Sequence, residues 1–188
     1  MSRAFYKILE ENPVIPGIKD DEGLKSVAAN ESRIVFVLYG NVMNVANIVK
    51  KLKDDGKIVF VNVDLIEGFS SKEIVVEFMK HHTEADGILS SKAAMIKAAK
   101  AQGLLTIHRL FLIDSFSFRN IEKQIQISQP DCIETLPGGM PKVISWVAEM
   151  VNIPIIAGGL VCDKEDVVAA LKAGATAISS TNVSVWSM

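Results

Sequence analysis

Cysteine is scarce in this sequence, and what little there is shows no metal-binding pattern. The chain contains two cysteines, Cys132 and Cys162, and they form neither a CxxC pair nor any other spacing typical of zinc ligands. Cysteine usage therefore gives no indication of a disulfide scaffold or a zinc site. We expect both thiols to serve as small core residues in a reducing compartment.

Charge of one sign is also lacking, as are long hydrophobic runs. The net charge is -2 at pH 7, which gives no general electrostatic reason to expect nucleic acid or an anionic membrane as partner. The densest basic run, at positions 50–57, is interrupted by Asp54 and Asp55 and predicts a solvated helix face. The first twelve residues lack the apolar segment of a signal peptide, and runs such as Ile34–Tyr39 are too short to span a bilayer. We therefore expect a cytoplasmic protein without membrane contact.

What the sequence does contain is a repeat of short apolar runs followed by amphipathic stretches. Its 188 residues, 49% of them hydrophobic, suffice for one core and are too few for two ordinary domains, so we expect a single domain over residues 1–188. The apolar runs predict strands at Val14–Ile18, Ile34–Tyr39, Ile58–Val63, Gly87–Leu89, Leu105–Phe111, Cys132–Leu136, Ile153–Ala157 and Ala177–Ser179. The amphipathic stretches predict helices near 21–29, 42–54, 72–82, 91–102, 117–128, 140–151 and 164–173.

The alternation of strands and helices predicts an α/β fold with a parallel sheet. Near-continuous β-branched strands are typical of sheets buried on both faces, and regular alternation with helices requires right-handed βαβ units. Eight strands favour closure into a small (β/α)8 TIM-type barrel with a short final helix. The alternative is an open doubly wound sheet, in which the weak strands Gly87–Leu89 and Ala177–Ser179 do not exist.

The ends of the last two predicted strands carry residues suited to a phosphate. Gly158 and Gly159 let backbone N–H groups approach an anion without a Cβ in the way, and Ser179 and Ser180 add hydroxyls one helix later. In a barrel these strand ends are neighbours, and phosphate commonly binds there. The alternative is structural: a tight turn at the glycines and capping by the serines.

Carboxylates occupy two other strand ends. Asn62 and Asp64 share one face of the third strand, and we expect that face to point into the barrel mouth. Glu134 lies within an apolar strand, where an unpaired charge is costly. It therefore requires a cation, a metal or a ligand hydroxyl as partner. An internal salt bridge of Asp64 and Glu134 with Arg109 is the structural alternative.

The candidate cations are less certain from the pattern alone. His108 and Arg109 are adjacent in the fifth strand, so only one can face inward, and parity does not decide which. Lys92 follows the fourth strand and serves either a ligand or the solvated first turn of a helix. Clustered carboxylates, with Glu67 among them, can hold Mg²⁺ or Ca²⁺. We predict neither a metal site nor catalytic residues.

Five segments stand out together along the chain: Pro13–Lys19, Val63–Gly68, His108–Ser115, Pro130–Gly138 and Pro154–Leu160. With them the sequence resembles a known family over nearly its whole length, the glycerol-3-phosphate-responsive antiterminators, also described as glycerol uptake operon antiterminator proteins. The order of these segments, followed by the Ser/Thr-rich end, is specific, whereas any one of them alone is not. His108 departs from the pattern, in which we expect glutamine at this position.

The resemblance implies a bacterial cytoplasmic regulator rather than an enzyme. Such proteins bind sn-glycerol 3-phosphate as effector, need no cofactor, and act on the leader of nascent mRNA to prevent transcription termination upstream of glycerol-utilisation genes. The predicted roles are phosphate binding by Gly158, Gly159, Ser179 and Ser180, hydroxyl binding by Asp64 and Glu134, and charge balance by Arg109 or Lys92. Weak candidates for RNA contact are Lys72, Lys92, Arg119 and Lys123. The sequence gives no prediction of the oligomeric state.

The competing hypothesis is an enzyme that handles a phosphorylated ligand. Barrels of this kind include metal-dependent glycerophosphodiesterases and sugar-phosphate lyases or synthases, and Asp64, Glu67 and Glu134 are suited to metal or acid/base roles there. Against it, the sequence has no clear strand-end lysine for Schiff-base chemistry and no paired-histidine arrangement of the kind expected in a phosphodiesterase barrel. A second alternative is a metabolite sensor whose output is a protein partner.

Overall fold

The computed structural model describes residues 3–188 and shows eight parallel strands closed into a barrel. Each strand pairs with its sequence neighbours, and β8 returns to pair with β1. The strands are β1 Val14–Ile18, β2 Ile34–Val37, β3 Ile58–Asn62, β4 Gly87–Ser90, β5 Leu105–Phe111, β6 Cys132–Leu136, β7 Ile155–Gly158 and β8 Ala177–Ser180. The predicted (β/α)8 barrel is thus confirmed. The open doubly wound sheet is wrong, because both weak strands form and close the ring.

Helices surround the barrel and alternate with its strands. They are α1 Arg3–Glu11, α2 Asp21–Ala28, α3 Val45–Asp54, α4 Glu73–His82, α5 Ala93–Ala101, α6 Ser115–Arg119, α7 Ile121–Ser128, α8 Pro141–Met150 and α9 Lys164–Lys172, with a final 3-10 turn at Val183–Val185. The predicted helix at 117–128 is wrong in detail: two helices stand there, divided at Asn120. None of the helices in the described part of the chain is long and apolar enough to cross a membrane.

Alternation along the strands separates an inner core from an outer one. Inward residues such as Phe36, Phe60 and Ile107 pack together inside the barrel, while their neighbours contact the helices. The strand pattern is almost wholly apolar because both faces are buried. This parity also fixes which polar side chains near the carboxyl ends of the strands can enter the barrel mouth.

Helix α1 closes the opposite end of the barrel, and the sequence reading did not predict it. Its Phe5 and Leu9 are buried in the inner core, and the Phe5 ring lies 5.4 Å from that of Phe60. Because α1 fills the amino-terminal end of the barrel interior in this way, the interior opens to a ligand at its carboxyl-terminal end.

A proline, a capping carboxylate and a glycine define several of the helix ends. Pro141 opens α8, and the Asp163 carboxylate caps α9 by accepting from the Asp166 N–H at 2.9 Å. Gly174 ends α9 with a φ of 107°, a conformation that side chains disfavour. One core expectation is half wrong: Cys132 is buried, but Cys162 is exposed because it lies in the loop after β7 rather than in a strand.

Candidate ligand site at the barrel mouth

A cavity of about 260 Å³ opens at the carboxyl-terminal end of the barrel. It lies over the side formed by β5 to β8, β1 and β2. Its lining residues are Gly17, Phe36, Leu38, Arg109, Glu134, Leu136, Gly159, Leu160, Val161, Cys162, Ser179, Ser180, Thr181 and Asn182. The lining combines apolar side chains with hydroxyls and one charged pair, a mixture suited to a small ligand with one charged group.

The Glu134 carboxylate joins three strands at the floor of this cavity. One oxygen, Oε2, accepts a hydrogen bond from Arg109 Nε at 2.6 Å, and the other, Oε1, accepts from the Ser179 hydroxyl at 2.6 Å. Glu134 is fully buried, and 12% of the Arg109 side chain is exposed. The Glu134 charge, which the sequence predicted to need a partner, is therefore paired, and Arg109 still faces the cavity.

Gly158 makes this arrangement possible, because a Cβ there would lie 2.6 Å from Glu134 Oε1 and 2.7 Å from Ser179 Oγ. Such distances are below normal contact, so the Glu134–Ser179 hydrogen bond requires glycine at this position. Gly158 itself does not line the cavity. Its visible role is to give space to the two side chains beneath the ligand.

Gly159 and the loop after it form the other wall. Gly159 has a φ of 73° and Leu160 a φ of 54°, so two consecutive residues are left-handed. Among the described residues, the N–H groups of Gly159 and Leu160 have no hydrogen-bond acceptor. Successive backbone N–H groups in a turn form a concave site that binds anions. Ser180, on the neighbouring strand end, donates its hydroxyl to the Val161 carbonyl at 2.8 Å and fixes this loop.

Asp64 and Lys92 lie on the opposite side of the mouth, near β3 and β4, and neither lines the cavity. Asp64 accepts hydrogen bonds from the Ser90 hydroxyl at 2.8 Å, the Ser91 N–H at 2.6 Å and the Ser91 hydroxyl at 2.8 Å. Lys92 Nζ lies 3.7 Å from Asp64 Oδ1 and also contacts the Ser71 hydroxyl. Burial raises the pKa of Asp64, but these hydrogen bonds and Lys92 outweigh it, so the pKa falls below its ordinary value.

Of the adjacent pair in β5, Arg109 faces the mouth and His108 faces the helix layer. His108 is fully buried between the Ser128 hydroxyl, 2.9 Å from Nδ1, and the Ser91 carbonyl, 3.3 Å from Nε2. Burial lowers its pKa, so the ring is neutral near pH 7. The departure from the family pattern at His108 therefore lies outside the cavity.

Several residues that line the cavity were not predicted from the sequence. Asn182 directly follows the Ser/Thr-rich motif that ends at Thr181, so extending this motif by one position would have found it. Gly17 belongs to β1, and its inward parity would have indicated it. Lys19, directly after β1, lines an adjoining cleft that shares Gly17, Thr181 and Asn182 with the cavity. No comparable sequence pattern indicated the apolar residues of the lining.

The clustering of carboxylates expected from the sequence does not produce a metal-binding group among residues 3–188. No three His, Cys, Asp or Glu side chains come together there in a way that would hold an ion. Glu67 lies instead at the surface, where its carbonyl accepts from the Val42 N–H at 2.9 Å and its backbone bridges to Asn41.

Fold and site together define a small (β/α)8 barrel with a cavity at its mouth that is lined by apolar, hydroxyl and charged side chains. The chain belongs to the glycerol-3-phosphate responsive antiterminator family, whose model matches residues 14–186. It is also 54% identical over 181 residues to the uncharacterized protein YgcP of Escherichia coli (strain K12), covering 96% of this chain and 95% of that one. The family resemblance inferred from the five segments is confirmed.

Solved structures of antiterminator proteins share the whole fold. The glycerol uptake operon antiterminator regulatory protein of Listeria monocytogenes (str. 4b F2365) superposes with a TM-score of 0.89 at 31% identity, covering 92% of this chain and 94% of that one. A glycerol uptake operon antiterminator-related protein of Thermotoga maritima gives 0.83 at 31% identity, with 94% and 99% covered. A deoxyribose phosphate aldolase of Aeropyrum pernix gives 0.73 at 13% identity, with 99% and 96% covered, which shows the fold alone.

Proposed function

We propose that this protein binds sn-glycerol 3-phosphate in the mouth cavity and, in that state, binds the leader of nascent mRNA and prevents transcription termination upstream of glycerol-utilisation genes. The observation that carries the proposal is the cavity itself. It combines the Gly159–Leu160 amides, the β8 end at Ser179 and Ser180, and the Arg109–Glu134 pair in a family defined by its response to this ester.

The phosphate is assigned to the wall formed by Gly159, Leu160 and the β8 end. A phosphate ester carries about −1.5 to −2 charges at pH 7 and offers three acceptor oxygens. Unpartnered N–H groups there donate to it without desolvating a charged side chain. Ser179 and Ser180 line this wall and act on it indirectly, because the Ser180 hydroxyl donates to the Val161 carbonyl of the loop and the Ser179 hydroxyl donates to Glu134.

The glycerol hydroxyls are assigned to Arg109 and Glu134 at the floor. Each Glu134 oxygen accepts one hydrogen bond inside the protein, so lone pairs remain for a hydroxyl, and Arg109 has further N–H donors. Because Arg109 is already balanced by Glu134, it polarises the floor without adding a full net charge.

The roles of Asp64 and Lys92 become indirect in this proposal. Asp64 is held by three hydrogen bonds and an ion pair, so accepting a ligand hydroxyl would cost an existing contact. The two residues shape the β3–β4 side of the mouth.

The chemistry of the cavity favours a sensor over an enzyme. In the described part of the chain the lining includes no lysine, and Arg109 is its cationic side chain. A guanidinium stays protonated and does not form an imine, so the Schiff-base route of aldolases has no nucleophile here. In this proposal the protein needs neither cofactor nor metal and acts by binding the ester and the RNA.

Titration calorimetry with sn-glycerol 3-phosphate, glycerol and inorganic phosphate tests the first step. We expect saturable binding of the ester that is much tighter than that of either fragment. The second step is tested by retention of an in vitro transcript that spans the leader and terminator of a glycerol-utilisation operon, with and without the ester. Steady release of glycerol phosphate from glycerophosphodiesters in Mg²⁺ would contradict the proposal, and so would a lack of ester binding.

A further inference from the structure

Exposed aromatic side chains gather in one sector of the barrel mouth, next to the cavity. Of the aromatic residues in the described part of the chain, those that are strongly exposed are Phe111, Phe116 and Trp146, at 48%, 70% and 46%. Ile113 and Met140 are exposed beside them. We call these five residues the aromatic rim. It belongs to the end of β5, to α6 and to the start of α8.

Part of the aromatic rim lines a groove of about 310 Å³ between α6 and α8, and Phe111 and Phe116 lie outside the lining of this groove. Ile113, Phe118, Met140 and Trp146 line it, and the Phe118 and Trp146 rings meet edge to face at 5.9 Å. An exposed apolar surface of this kind marks an interaction site, because isolated apolar residues do not form grooves.

Cations lie among these rings. Lys142 Nζ lies 5.3 Å from the centre of the Trp146 ring, and Arg119 lines the groove. The acidic residue of the groove, Asp114, is engaged in capping α6, where its carboxylate accepts from the Ser117 N–H at 2.8 Å. Exposed aromatic faces next to cations are the surface that unpaired nucleotides recognise, with bases stacked on rings and phosphates on cations.

The rim is also connected to the ligand cavity through the loop at residues 137–140. The Gly138 N–H donates to the Gly159 carbonyl at 2.8 Å, and a Cβ on Gly139 would lie 2.4 Å from the Leu160 carbonyl oxygen. Met140 ends this loop and belongs to the rim. A ligand that orders Gly159 and Leu160 therefore acts on the segment that sets the position of α8.

We propose that the aromatic rim, with Arg119 and Lys142, binds unpaired nucleotides of the leader RNA by base stacking. This inference rests on the proposed function, since it assigns the surface for the RNA step. A second copy of the chain is the other candidate occupant of an apolar groove. It fits less well, because burying Arg119 and Lys142 in a protein contact desolvates two charges that phosphates would pair.

The experiment measures retention of the leader transcript by the full chain at saturating sn-glycerol 3-phosphate. Phe116→Ala and Trp146→Ala should each weaken RNA binding about five- to 150-fold, the range expected for losing one stacked base. Phe116→Ala is the cleaner variant, because the Trp146 ring also contacts Phe118 and Lys142. Matched controls are Met43→Ala and Ile74→Ala, which truncate exposed apolar residues elsewhere and should bind RNA as the wild type does.

Arg119→Gln and Lys142→Gln should each lower the slope of log affinity against log salt by roughly 0.7, as expected for one phosphate contact on a single strand. Ester affinity should stay within about two-fold in all these variants. If the wild type binds RNA and both aromatic variants bind it equally well, this surface assignment is wrong and the proposed function survives. If the wild type retains no RNA with ester bound, both fail. Loss of a wild-type dimer in the variants, seen by sedimentation with RNA binding intact, would assign the rim to a second copy and overturn the proposal.

Discussion

The two sides of the barrel mouth contain the same kinds of side chain and differ in what these still offer a ligand. On the β5–β8 side, Glu134 meets Arg109 and Ser179 beneath an open cavity. On the β3–β4 side, Asp64 meets Lys92 and two serines and borders no part of that cavity. A carboxylate paired with a cation can therefore bind a ligand where two conditions hold: the pair borders a cavity, and it has hydrogen-bond donors and acceptors that the protein does not already use.

The difference arises from backbone, not from side-chain chemistry. Gly158 leaves room for Glu134 and Ser179 below the cavity, and Gly159, with a φ of 73°, lines the cavity in a left-handed turn. On the other side the chain continues through Ser90 and Ser91, whose hydroxyls and amide fold onto Asp64. Substitutions on the two sides should therefore separate ligand affinity from stability.

The largest expected effect is that of Gly159→Asp, which should abolish ester binding in calorimetry. It places a carboxylate against the proposed phosphate and a side chain in a left-handed position, at a stability cost of about 1 kcal/mol. Gly56→Asp is the matched control, because Gly56 has a φ of 75° and a Cβ added there would meet no atom within 4 Å. It should lose similar stability in urea and keep wild-type ester affinity. Equal affinity in both variants would place the phosphate elsewhere.

Glu134→Gln should come next, with an ester affinity at least about ten-fold weaker and a free energy of unfolding lower by about 3 kcal/mol. The substitution leaves the largely buried Arg109 guanidinium without its counter-charge, and breaking a buried pair is strongly destabilising. Urea denaturation and calorimetry measure the two quantities. Glu67→Gln, on the exposed loop, should change neither; a stable, tightly binding Glu134→Gln would show that the pair is dispensable.

Asp64→Asn should lower stability by about 1 to 2 kcal/mol at pH 7, because charge-assisted hydrogen bonds are lost, and should leave ester affinity within about three-fold. The folded-state pKa of Asp64 is lowered, so its stabilisation is present above the ordinary value of 3.8 and is lost as pH falls through the folded value. The difference between wild type and variant in urea denaturation should therefore shrink below about pH 4. A ten-fold loss of ester affinity would instead show that Asp64 contacts the ligand.

The smallest effect is expected for His108→Gln, which lies outside the cavity. The folded-state pKa of His108 is lowered, so the unfolded chain takes up a proton first as pH falls below 6.5. Wild-type stability should thus decline below pH 6.5 through this residue, and the variant should lack that component. Urea denaturation at pH 7.5 and pH 5.5 provides the measurement, with unchanged ester affinity at pH 7.5. An altered affinity would give His108 a part in the site.

Sequence reasoning reached the barrel because the longer apolar strands carry the signal of burial on both faces, and the regular alternation with helices supported the two weak strands, β4 and β8. It placed strand ends within two residues, as at β2, where Tyr39 was predicted and Val37 is observed. It missed α1, whose sequence is mixed polar because only one face, with Phe5 and Leu9, enters the barrel. It also missed the break at Asn120, since α6 and α7 are continuous in pattern.

The sequence by itself determined the parallel α/β fold, the family and the presence of a glycine–serine pair of strand ends, because these depend on local pattern and order along the chain. Only the tertiary structure decided which carboxylate faces the cavity. Asp64 and Glu134 look alike in sequence, yet the pairing of β6, β7 and β8 in one curved sheet brings Ser179 to Glu134, 45 residues away in the chain, while local serines enclose Asp64. Closure also turned Arg109 inward and His108 outward, because strand parity becomes a direction only when the ring is complete.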